Sequence, residues 1–430
     1  MKQKLTIAFL IIGGLISGCS TSQHSMFMHV ENGHFADRDN NPYYFIGANM
    51  WYGSFMAAES PSCDRERLCR ELDCLKALGI DNLRIAVGAD GSEDDAVKVK
   101  PILQTAPGTY NDAALDGLDF LMAELGKRGM HAVLYLTNAW TWSGGYGQYL
   151  EWSGRGKCKV QGVAKWNEYK DYVAEFHKAD LEDECKRMLD RHIRFIVSRT
   201  NRYTGLPYSE DPAIFSWQLC NEPRAFADDG KENLYEWVEH TAKLIKELDP
   251  NHMVSTGSEG EVGCEMDIEL WRRIHAIDEI DYATIHIWPY NWRWVNRDTS
   301  DTDVGTACRM SSEYIARHAA IARELGKPLV IEEFGYLRDG FRFDVGSAVS
   351  ARDVYYRHIM DAVVQSAARG DVLAGCNFWA WGGEARPQHL VWQTGDPYCG
   401  DPAQEEQGLY SVFDCDSTVE VVTESAKELQ

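Results

Sequence analysis

Residues 214–224 read Ile-Phe-Ser-Trp-Gln-Leu-Cys-Asn-Glu-Pro-Arg, a mainly apolar run that ends in an amide, a carboxylate and a proline. Residues 328–335 read Pro-Leu-Val-Ile-Glu-Glu-Phe-Gly, an apolar run that ends in two glutamates. Short apolar runs of this kind are typical of strands that are buried on both faces of a parallel sheet. We therefore expect acidic side chains at the carboxyl ends of two buried strands.

Six similar runs accompany these two along the chain. Amphipathic stretches with leucines at helical spacing separate the runs, and no glycine-rich nucleotide-binding turn follows the first one. Eight strands that alternate with about eight helices predict an α/β fold, a single (β/α)8 TIM barrel rather than a doubly wound sheet. The six further strands are expected at 43–49, 82–87, 131–137, 253–257, 282–288 and 372–379.

Long insertions follow three of the predicted strands, at 138–165, 289–307 and 380–415. In a (β/α)8 barrel the loops that follow strands rise from the C-terminal face, where active sites are built. These insertions are therefore expected to shape a binding site on that face.

Composition limits the classes of partner. The chain has 430 residues, 44% of them hydrophobic, and no repeat or change of composition, so we expect one domain over residues 27–430 that acts as a monomer. Its formal net charge of −23 argues against nucleic acid and against adhesion to anionic lipid, because both carry phosphate. The charge suits a neutral partner such as a polysaccharide or oligosaccharide.

The N-terminus predicts export. Two lysines precede an apolar stretch at 5–16, which is too short to span a bilayer and is followed by Ser-Gly-Cys at 17–19. This junction resembles a bacterial lipobox, which implies a lipoprotein signal peptide at 1–18, a lipid anchor on Cys19 and a tether over 19–26. The protein would then be held at the cell envelope, on the outer membrane or cell surface, through its lipid alone. An ordinary signal peptide with an incidental cysteine is the alternative.

Cysteine and histidine spacing gives no sign of a metal site. Without Cys19, eleven of the twelve cysteines remain, an odd number, so at least one thiol is unpaired. Cys63, Cys69 and Cys74 lie close together but lack the CxxC pairs of a zinc site, and no HExxH motif occurs. We expect neither a metal nor a cofactor.

Two glutamates carry the chemical argument. Glu222 follows predicted strand four and Glu333 follows predicted strand seven, so both should point into the mouth of the barrel. That placement can bring two carboxyl groups to about 5 Å, the separation used in retaining glycoside hydrolysis. Either glutamate alone is consistent with a solvated loop carboxylate. Both together, at corresponding strand ends, strongly indicate a catalytic pair.

At these residues the sequence resembles glycoside hydrolase family 5 of the clan A retaining (β/α)8 glycosidases. The family signature is Asn-Glu-Pro at strand four and Glu-Phe/Tyr-Gly at strand seven, and the likeness is greatest to the mannan-degrading branch, from about residue 27 to near the C-terminus. The resemblance implies that Glu222 is the acid/base and Glu333 the nucleophile. Strand alternation should turn Glu332 away from the cleft; with a shifted register it would compete for the role.

Further positions match substrate-binding residues of the family. Arg84 matches an arginine beneath the nucleophile, and Asn221 matches the residue that bonds the sugar 2-OH. His286 matches a histidine of the catalytic pocket. Trp288 stands where the family often has tyrosine, so a phenol hydroxyl is replaced by an indole N–H.

Several tryptophans are candidates for sugar stacking. Trp379 matches the aromatic platform of the cleaved-bond subsite, with Trp381 as the alternative. Trp51, just past the first strand, is the best candidate for an additional subsite. Other tryptophans in predicted C-terminal-face loops either bind sugar or pack within the loops; these are Trp140, Trp142, Trp152, Trp292 and Trp294.

The leading hypothesis is an endo-acting β-1,4-mannanase that works by double displacement, and its mannan preference comes from the resemblance alone. An exo-acting β-mannosidase of the same fold is the first alternative, because the insertion at 138–160 is long enough to close one end of a cleft. A β-1,4-glucanase is the second. A non-catalytic surface glycan-binding lipoprotein is the third, and the presence of both glutamates argues against it.

Overall fold

The computed structural model describes residues 26–95 and 98–429. The predicted signal peptide, the Cys19 anchor and nearly all of the tether lie outside the described residues. No helix within the described ranges is both long and apolar enough to cross a membrane.

Eight parallel strands form a nearly closed barrel, in the spatial order β6-β7-β8-β1-β2-β3-β4-β5. The remaining edges, β5 and β6, are joined where the Asp281 N–H donates to the Val254 carbonyl oxygen at 2.9 Å. The prediction of a (β/α)8 barrel is therefore confirmed, and each predicted strand is present. The strands are β1 (Phe45–Asn49), β2 (Asn82–Ala86), β3 (His131–Tyr135), β4 (Ile214–Gln218), β5 (Met253–Ser255), β6 (Ala283–Ile287), β7 (Leu329–Phe334) and β8 (Leu373–Phe378).

Eleven α-helices occur in the described ranges; one follows each barrel strand on the outside, and α1, α4 and α5 belong to loops. Their ends follow local rules: Asp64 caps the start of α2 by accepting from the Arg67 N–H, and Gly129 ends α3 in the left-handed region at φ 59°. The helices are α1 (Gly53–Ala57), α2 (Arg65–Ala77), α3 (Asp112–Arg128), α4 (Gly145–Trp152), α5 (Trp166–Lys178), α6 (Glu184–Val197), α7 (Lys231–Leu248), α8 (Ile268–His275), α9 (Val304–Leu325), α10 (Ser350–Arg369) and α11 (Thr418–Glu428).

An N-terminal hairpin closes the bottom of the barrel. Strands His29–Glu31 and His34–Ala36 pair antiparallel and place Phe35 against Phe215 and Tyr282, with ring centroids at 5.0 and 5.2 Å. This apolar cluster leaves the opposite, C-terminal end of the barrel as the open one.

The insertions are folded against that open end. Residues 138–165 contain α4, and residues 380–415 contain a short strand, Trp381–Gly383, that pairs with Val412–Phe413. The eleven cysteines of the described chain are all free thiols.

Candidate active site

Glu222 lies four residues past the end of β4 and is held by backbone hydrogen bonds to the neighbouring strands' loops. The Asn221 N–H donates to the Thr137 carbonyl oxygen at 2.8 Å, and the Glu222 N–H donates to the Gly257 carbonyl oxygen at 3.0 Å. Glu222 has φ 53°, a left-handed conformation that is uncommon for a residue with a side chain and that often marks functional sites. The conformation aims its carboxyl group into the barrel mouth, where it is only 7% exposed.

Glu333 lies within β7, opposite His286 of β6. The register of this strand pair shifts between Ile285, which faces Ile331, and His286, which faces Glu333, so that Glu332 has no partner on β6. Such a bulge places two consecutive side chains where strict alternation would allow one.

The two carboxyl groups meet across the mouth. One oxygen of Glu222, one oxygen of Glu333 and a ring nitrogen of His286 all lie within 4.8 Å of one another. His286 Nδ1 is hydrogen-bonded to Glu222 Oε1 at 2.7 Å and lies 3.4 Å from Glu333 Oε2. The expected approach of the two glutamates is confirmed, at the separation that suits a retaining mechanism.

Arg84 holds Glu333 from below. Its Nη1 donates to Glu333 Oε1, its Nη2 to Asn221 Oδ1 at 2.7 Å, and its Nε to Gln218 Oε1 at 2.8 Å. The guanidinium is completely buried and lies over the Tyr135 ring at 4.6 Å. Because the guanidinium is planar and always charged, this network fixes both the charge and the orientation of Glu333.

Glu332 does not reach the cavity. Its carboxylate accepts two hydrogen bonds from Gln218 Nε2, at 2.8 and 2.7 Å, and one from the Tyr282 hydroxyl at 3.2 Å. Gln218 also bonds Arg84, so both glutamates belong to one network inside the barrel. Glu332 stays out of the cavity as predicted, where Gln218 and Tyr282 hold its carboxylate.

Burial governs the protonation of the pair. It raises the pKa of Glu222, against hydrogen bonds from Trp140 and Trp288. It also raises the pKa of Glu333, opposed by the adjacent Arg84. Because two carboxylates this close resist double ionisation and Arg84 contacts Glu333, the negative charge belongs on Glu333 and the proton on Glu222. Burial lowers the pKa of His286 well below its usual value, so its imidazole is neutral.

A cavity of about 340 Å³ opens above the pair, within the range of small-ligand sites. One wall carries Trp288 and Trp379, with ring centroids 6.0 Å apart. Trp140 also lines the cavity and donates its indole N–H to Glu222 Oε2. Polar and aromatic side chains complete the lining: Trp142, Gln161, Trp166, Asn221, Arg224, Glu259, Asn291, Trp292, Glu405 and Tyr410.

Comparison with known sequences gives the family of the chain. The family model described as GH family 5 beta-mannosidase-like matches residues 25–430. The chain belongs to glycoside hydrolase family 5. A putative mannan endo-1,4-beta-mannosidase 9 of Oryza sativa subsp. japonica is 32% identical over 366 residues, which cover 81% of this chain and 82% of the relative.

Solved structures agree with this family 5 assignment. A glycoside hydrolase family 5 mannosidase from Rhizomucor miehei superimposes with a TM-score of 0.86 at 31% identity, over 94% of this chain and 98% of that one. A mutant of that enzyme is solved in complex with mannosyl-fructose. The endo-beta-1,4-mannanase of Thermotoga petrophila, with a TM-score of 0.66 at 24% identity over 91% of this chain and 78% of that one, shares the fold.

Of the sugar-binding positions predicted for this family 5 hydrolase, most lie at the cavity. Asn221, Trp288 and Trp379 line it, whereas Arg84 and His286 lie buried beneath it. Trp140, Trp142 and Trp292 also line it, but Trp152 and Trp294 do not.

Two tryptophan predictions are corrected. Trp51 is 1% exposed and donates its indole N–H to the Gly400 carbonyl oxygen at 2.7 Å, so it supports the 380–415 insertion and cannot stack on a sugar. Trp381, the alternative platform, is equally buried and donates to Glu71 Oε2 at 2.7 Å. Trp379 alone of the Trp379/Trp381 pair faces the cavity.

The family 5 site also contains residues that the sequence analysis missed. Glu259 follows β5 as Glu222 follows β4, a strand-end position that could have revealed it; burial raises its pKa to about 8, against the charge of Arg224. Glu405 and Tyr410 come from the 380–415 insertion, where no local pattern marks them. Burial raises the pKa of Glu405 to about 8 as well.

Within the described ranges, Glu222, His286 and Glu333 are the one group of side chains close enough to share a metal ion. The Arg84 guanidinium that contacts Glu333 would repel a cation there. The expectation of a metal-free, cofactor-free site stays a prediction.

Proposed function

We propose that this family 5 hydrolase cleaves β-1,4-mannosidic bonds within mannan, as an endo-β-1,4-mannanase, with retention of anomeric configuration. The observation that carries the proposal is the approach of Glu222 and Glu333 to within 4.8 Å, with Arg84 on one carboxylate only. That asymmetry gives the two acids different roles.

In the first step, Glu333 attacks the anomeric carbon while Glu222 donates its proton to the glycosidic oxygen. The bond between that carbon and oxygen breaks, the leaving sugar departs as an alcohol, and a glycosyl ester forms on Glu333. Arg84 keeps Glu333 ionised before attack, and burial keeps Glu222 protonated until the proton is needed.

In the second step, water attacks the anomeric carbon from the side that the leaving sugar vacated. Glu222, now ionised, takes a proton from this water, and the ester bond to Glu333 breaks to restore both carboxyl groups. Two inversions give net retention. Trp379 supplies a flat platform for the apolar face of the reacting sugar, and Asn221, oriented by Arg84, is placed to bond its 2-OH.

The substrate follows from the relatives. The rice relative is named for endo-cleavage of mannan and the Rhizomucor miehei enzyme for action on mannosides. The cavity of this chain has a lining suited to neutral sugars, with indole faces and hydrogen-bonding side chains. A β-1,4-linked mannan is therefore the substrate that we propose.

Exo-acting β-mannosidase activity is the second candidate, and one observation favours it. All three long insertions contribute to the cavity lining, through Trp142, Trp292 and Glu405. Walls of this kind close the end of a cleft in exo-acting enzymes.

Time-resolved product analysis on mannohexaose separates the two candidates. An endo-acting enzyme releases fragments of two to four sugars first, whereas release of single mannose units from one end alone would overturn endo action. Proton NMR of the earliest product tests retention. Faster cleavage of soluble cellulose than of galactomannan would instead make the protein a β-1,4-glucanase.

Variants test the two roles. Glu333→Ala should abolish turnover but retain mannotriose binding, and full activity would contradict its role. Glu222→Ala should slow hydrolysis of mannan far more than hydrolysis of an activated aryl mannoside, whose leaving group needs no proton. Equal losses on both substrates would show that Glu222 is not the proton donor.

We also propose that the chain is an exported lipoprotein, anchored through Cys19 and monomeric. The apolar N-terminal stretch and the Ser-Gly-Cys junction support the anchor. Metabolic labelling with a palmitate analogue should mark the wild-type protein and not Cys19→Ala, and labelling of both would contradict the anchor.

Light scattering of the protein without its first 25 residues should give the mass of one chain.

A further inference from the structure

An exposed indole extends the cavity beyond Glu222. Trp166, the first residue of α5, lies against Trp140 and Tyr169, with ring centroids at 6.2 and 6.0 Å and interplanar angles of 32° and 26°. It lines the cavity and is nevertheless 53% exposed. An indole that is held in place by stacking on one face and is open to solvent beside a cavity is suited to bind a ligand.

A second observation comes from Gln161. Its side chain lines the same cavity, and its Oε1 is buried without a hydrogen-bond donor in the part of the chain that the structure describes. Its backbone is fixed, because the Gln161 N–H donates to Thr141 Oγ1 at 3.0 Å. A buried acceptor without a donor is unfavourable, and a hydroxyl group of a ligand would supply the missing hydrogen bond.

The position of Trp140 shows which part of the substrate this wall faces. Its N–H bonds Glu222, the residue that protonates the leaving oxygen in the proposed mechanism. Trp379, the platform for the attacked sugar in the proposed mechanism, has a ring contact with Trp288, at 6.0 Å between centroids, whereas Trp166 has its ring contacts with Trp140 and Tyr169. A sugar that stacks on Trp166 is therefore on the leaving-group side of the cleaved bond.

We propose that Trp166 and Gln161 form a subsite for the leaving sugar. The indole stacks on the apolar face of a pyranose ring, and Gln161 Oε1 accepts a hydrogen bond from one of its hydroxyl groups. The ligand is a neutral pyranose unit of a β-linked oligosaccharide. This inference rests on the proposed roles of Glu222 and Glu333.

The test is cleavage of mannohexaose in ¹⁸O-water by wild type and Trp166→Ala. The heavy oxygen enters the fragment that held the attacked sugar, so mass spectrometry gives the position of every cut. Trp166→Ala should lower kcat/KM about tenfold, mainly through KM, and should shift cleavage toward shorter leaving fragments, because stacking and burial of an aromatic ring are worth about 1.4 kcal/mol or more. Trp166→Phe should retain most of the activity, and Gln161→Ala should give a smaller loss.

Val163→Ala is the matched control, since Val163 is 72% exposed on the same segment and does not line the cavity. Its kcat/KM and cleavage positions should equal those of wild type. Unchanged values in Trp166→Ala would overturn the subsite.

Binding gives a readout that does not depend on turnover. Calorimetry with mannotriose should show weaker binding to the Glu333→Ala/Trp166→Ala protein than to Glu333→Ala, and equal affinities would again overturn the subsite. Failure of wild type to cleave mannohexaose would instead contradict the proposed function, so the two failures are distinguishable.

Discussion

At the scale of single residues, Trp140 tunes the acid/base. Its N–H bonds the Glu222 carboxyl and lowers the pKa of that group, against burial, which raises it. Trp140→Phe removes the donor and keeps an aromatic ring, so the pKa of Glu222 should rise. Because Glu222 must be protonated to act, activity falls as pH rises through this pKa. The alkaline limb of the kcat/KM profile should therefore move to higher pH by up to about one unit.

The same measurement on Trp152→Phe is the control, because Trp152 lies in the same insertion but does not line the cavity. Its profile should match that of wild type. A shift of the Trp140→Phe limb to lower pH would show that the indole stabilises the protonated form of Glu222 instead.

Sequence motifs located the residues whose position is set by the strand that carries them. They did not predict the burial of residues that contact distant loops. Glu222 and Glu333 are marked by the strands that carry them. Trp51 is buried where its indole N–H donates to the Gly400 carbonyl oxygen. Trp381 is buried where its indole N–H donates to the Glu71 carboxylate. Contacts across more than 300 residues leave no trace in the local sequence, so Trp51 was predicted incorrectly and Trp381 stayed open as the alternative to Trp379.

At the scale of elements, the segment 401–411 forms part of the cavity wall because the Asp401 carboxylate accepts several hydrogen bonds from it. The Asp401 carboxylate accepts from the Gly408 N–H at 2.8 Å, the Tyr410 N–H at 2.9 Å and Ser411 Oγ at 2.5 Å. The Tyr410 ring in turn packs on Trp288, with centroids at 5.2 Å. A single carboxylate thus positions the wall that faces the reacting sugar.

Asp401→Asn replaces one acceptor oxygen by a donor and removes the charge, so at least one buried N–H is left without a partner. We expect a loss of about 1–3 kcal/mol in the free energy of unfolding and a severalfold fall in kcat/KM, measured by urea denaturation and mannohexaose kinetics. Asp414→Asn is the control, because its ion pair with Arg386 is exposed and contributes little. Equal behaviour of the two variants would contradict a positioning role for Asp401.

The strands themselves were predictable, since each is a buried apolar run, but the bulge in β7 was not. It depends on the pairing of β7 with β6, which puts His286 opposite Glu333 and leaves Glu332 unpaired. Register between strands is a property of two elements, and one strand's sequence does not specify it.

At the scale of the whole molecule, the barrel has a catalytic end and a stabilising end. The cavity with Glu222 and Glu333 lies at the C-terminal end of the strands, and the N-terminal hairpin seals the other end with Phe35. In (β/α)8 barrels generally, the C-terminal face holds the active site and the N-terminal face contributes to stability. It implies that stability and turnover can be changed separately here.

Phe35→Ala is the variant that tests this separation. Phe35 is fully buried between Phe215 and Tyr282, so its truncation should cost about 3–5 kcal/mol in the free energy of unfolding, through lost contacts and a cavity. The kcat/KM of the folded protein should stay unchanged, because no catalytic group touches the hairpin. Met26→Ala, at a residue that is 69% exposed beside the same hairpin, should change neither quantity. A folded Phe35→Ala protein with a much lower kcat/KM would mean that the bottom of the barrel positions the carboxylates at its top.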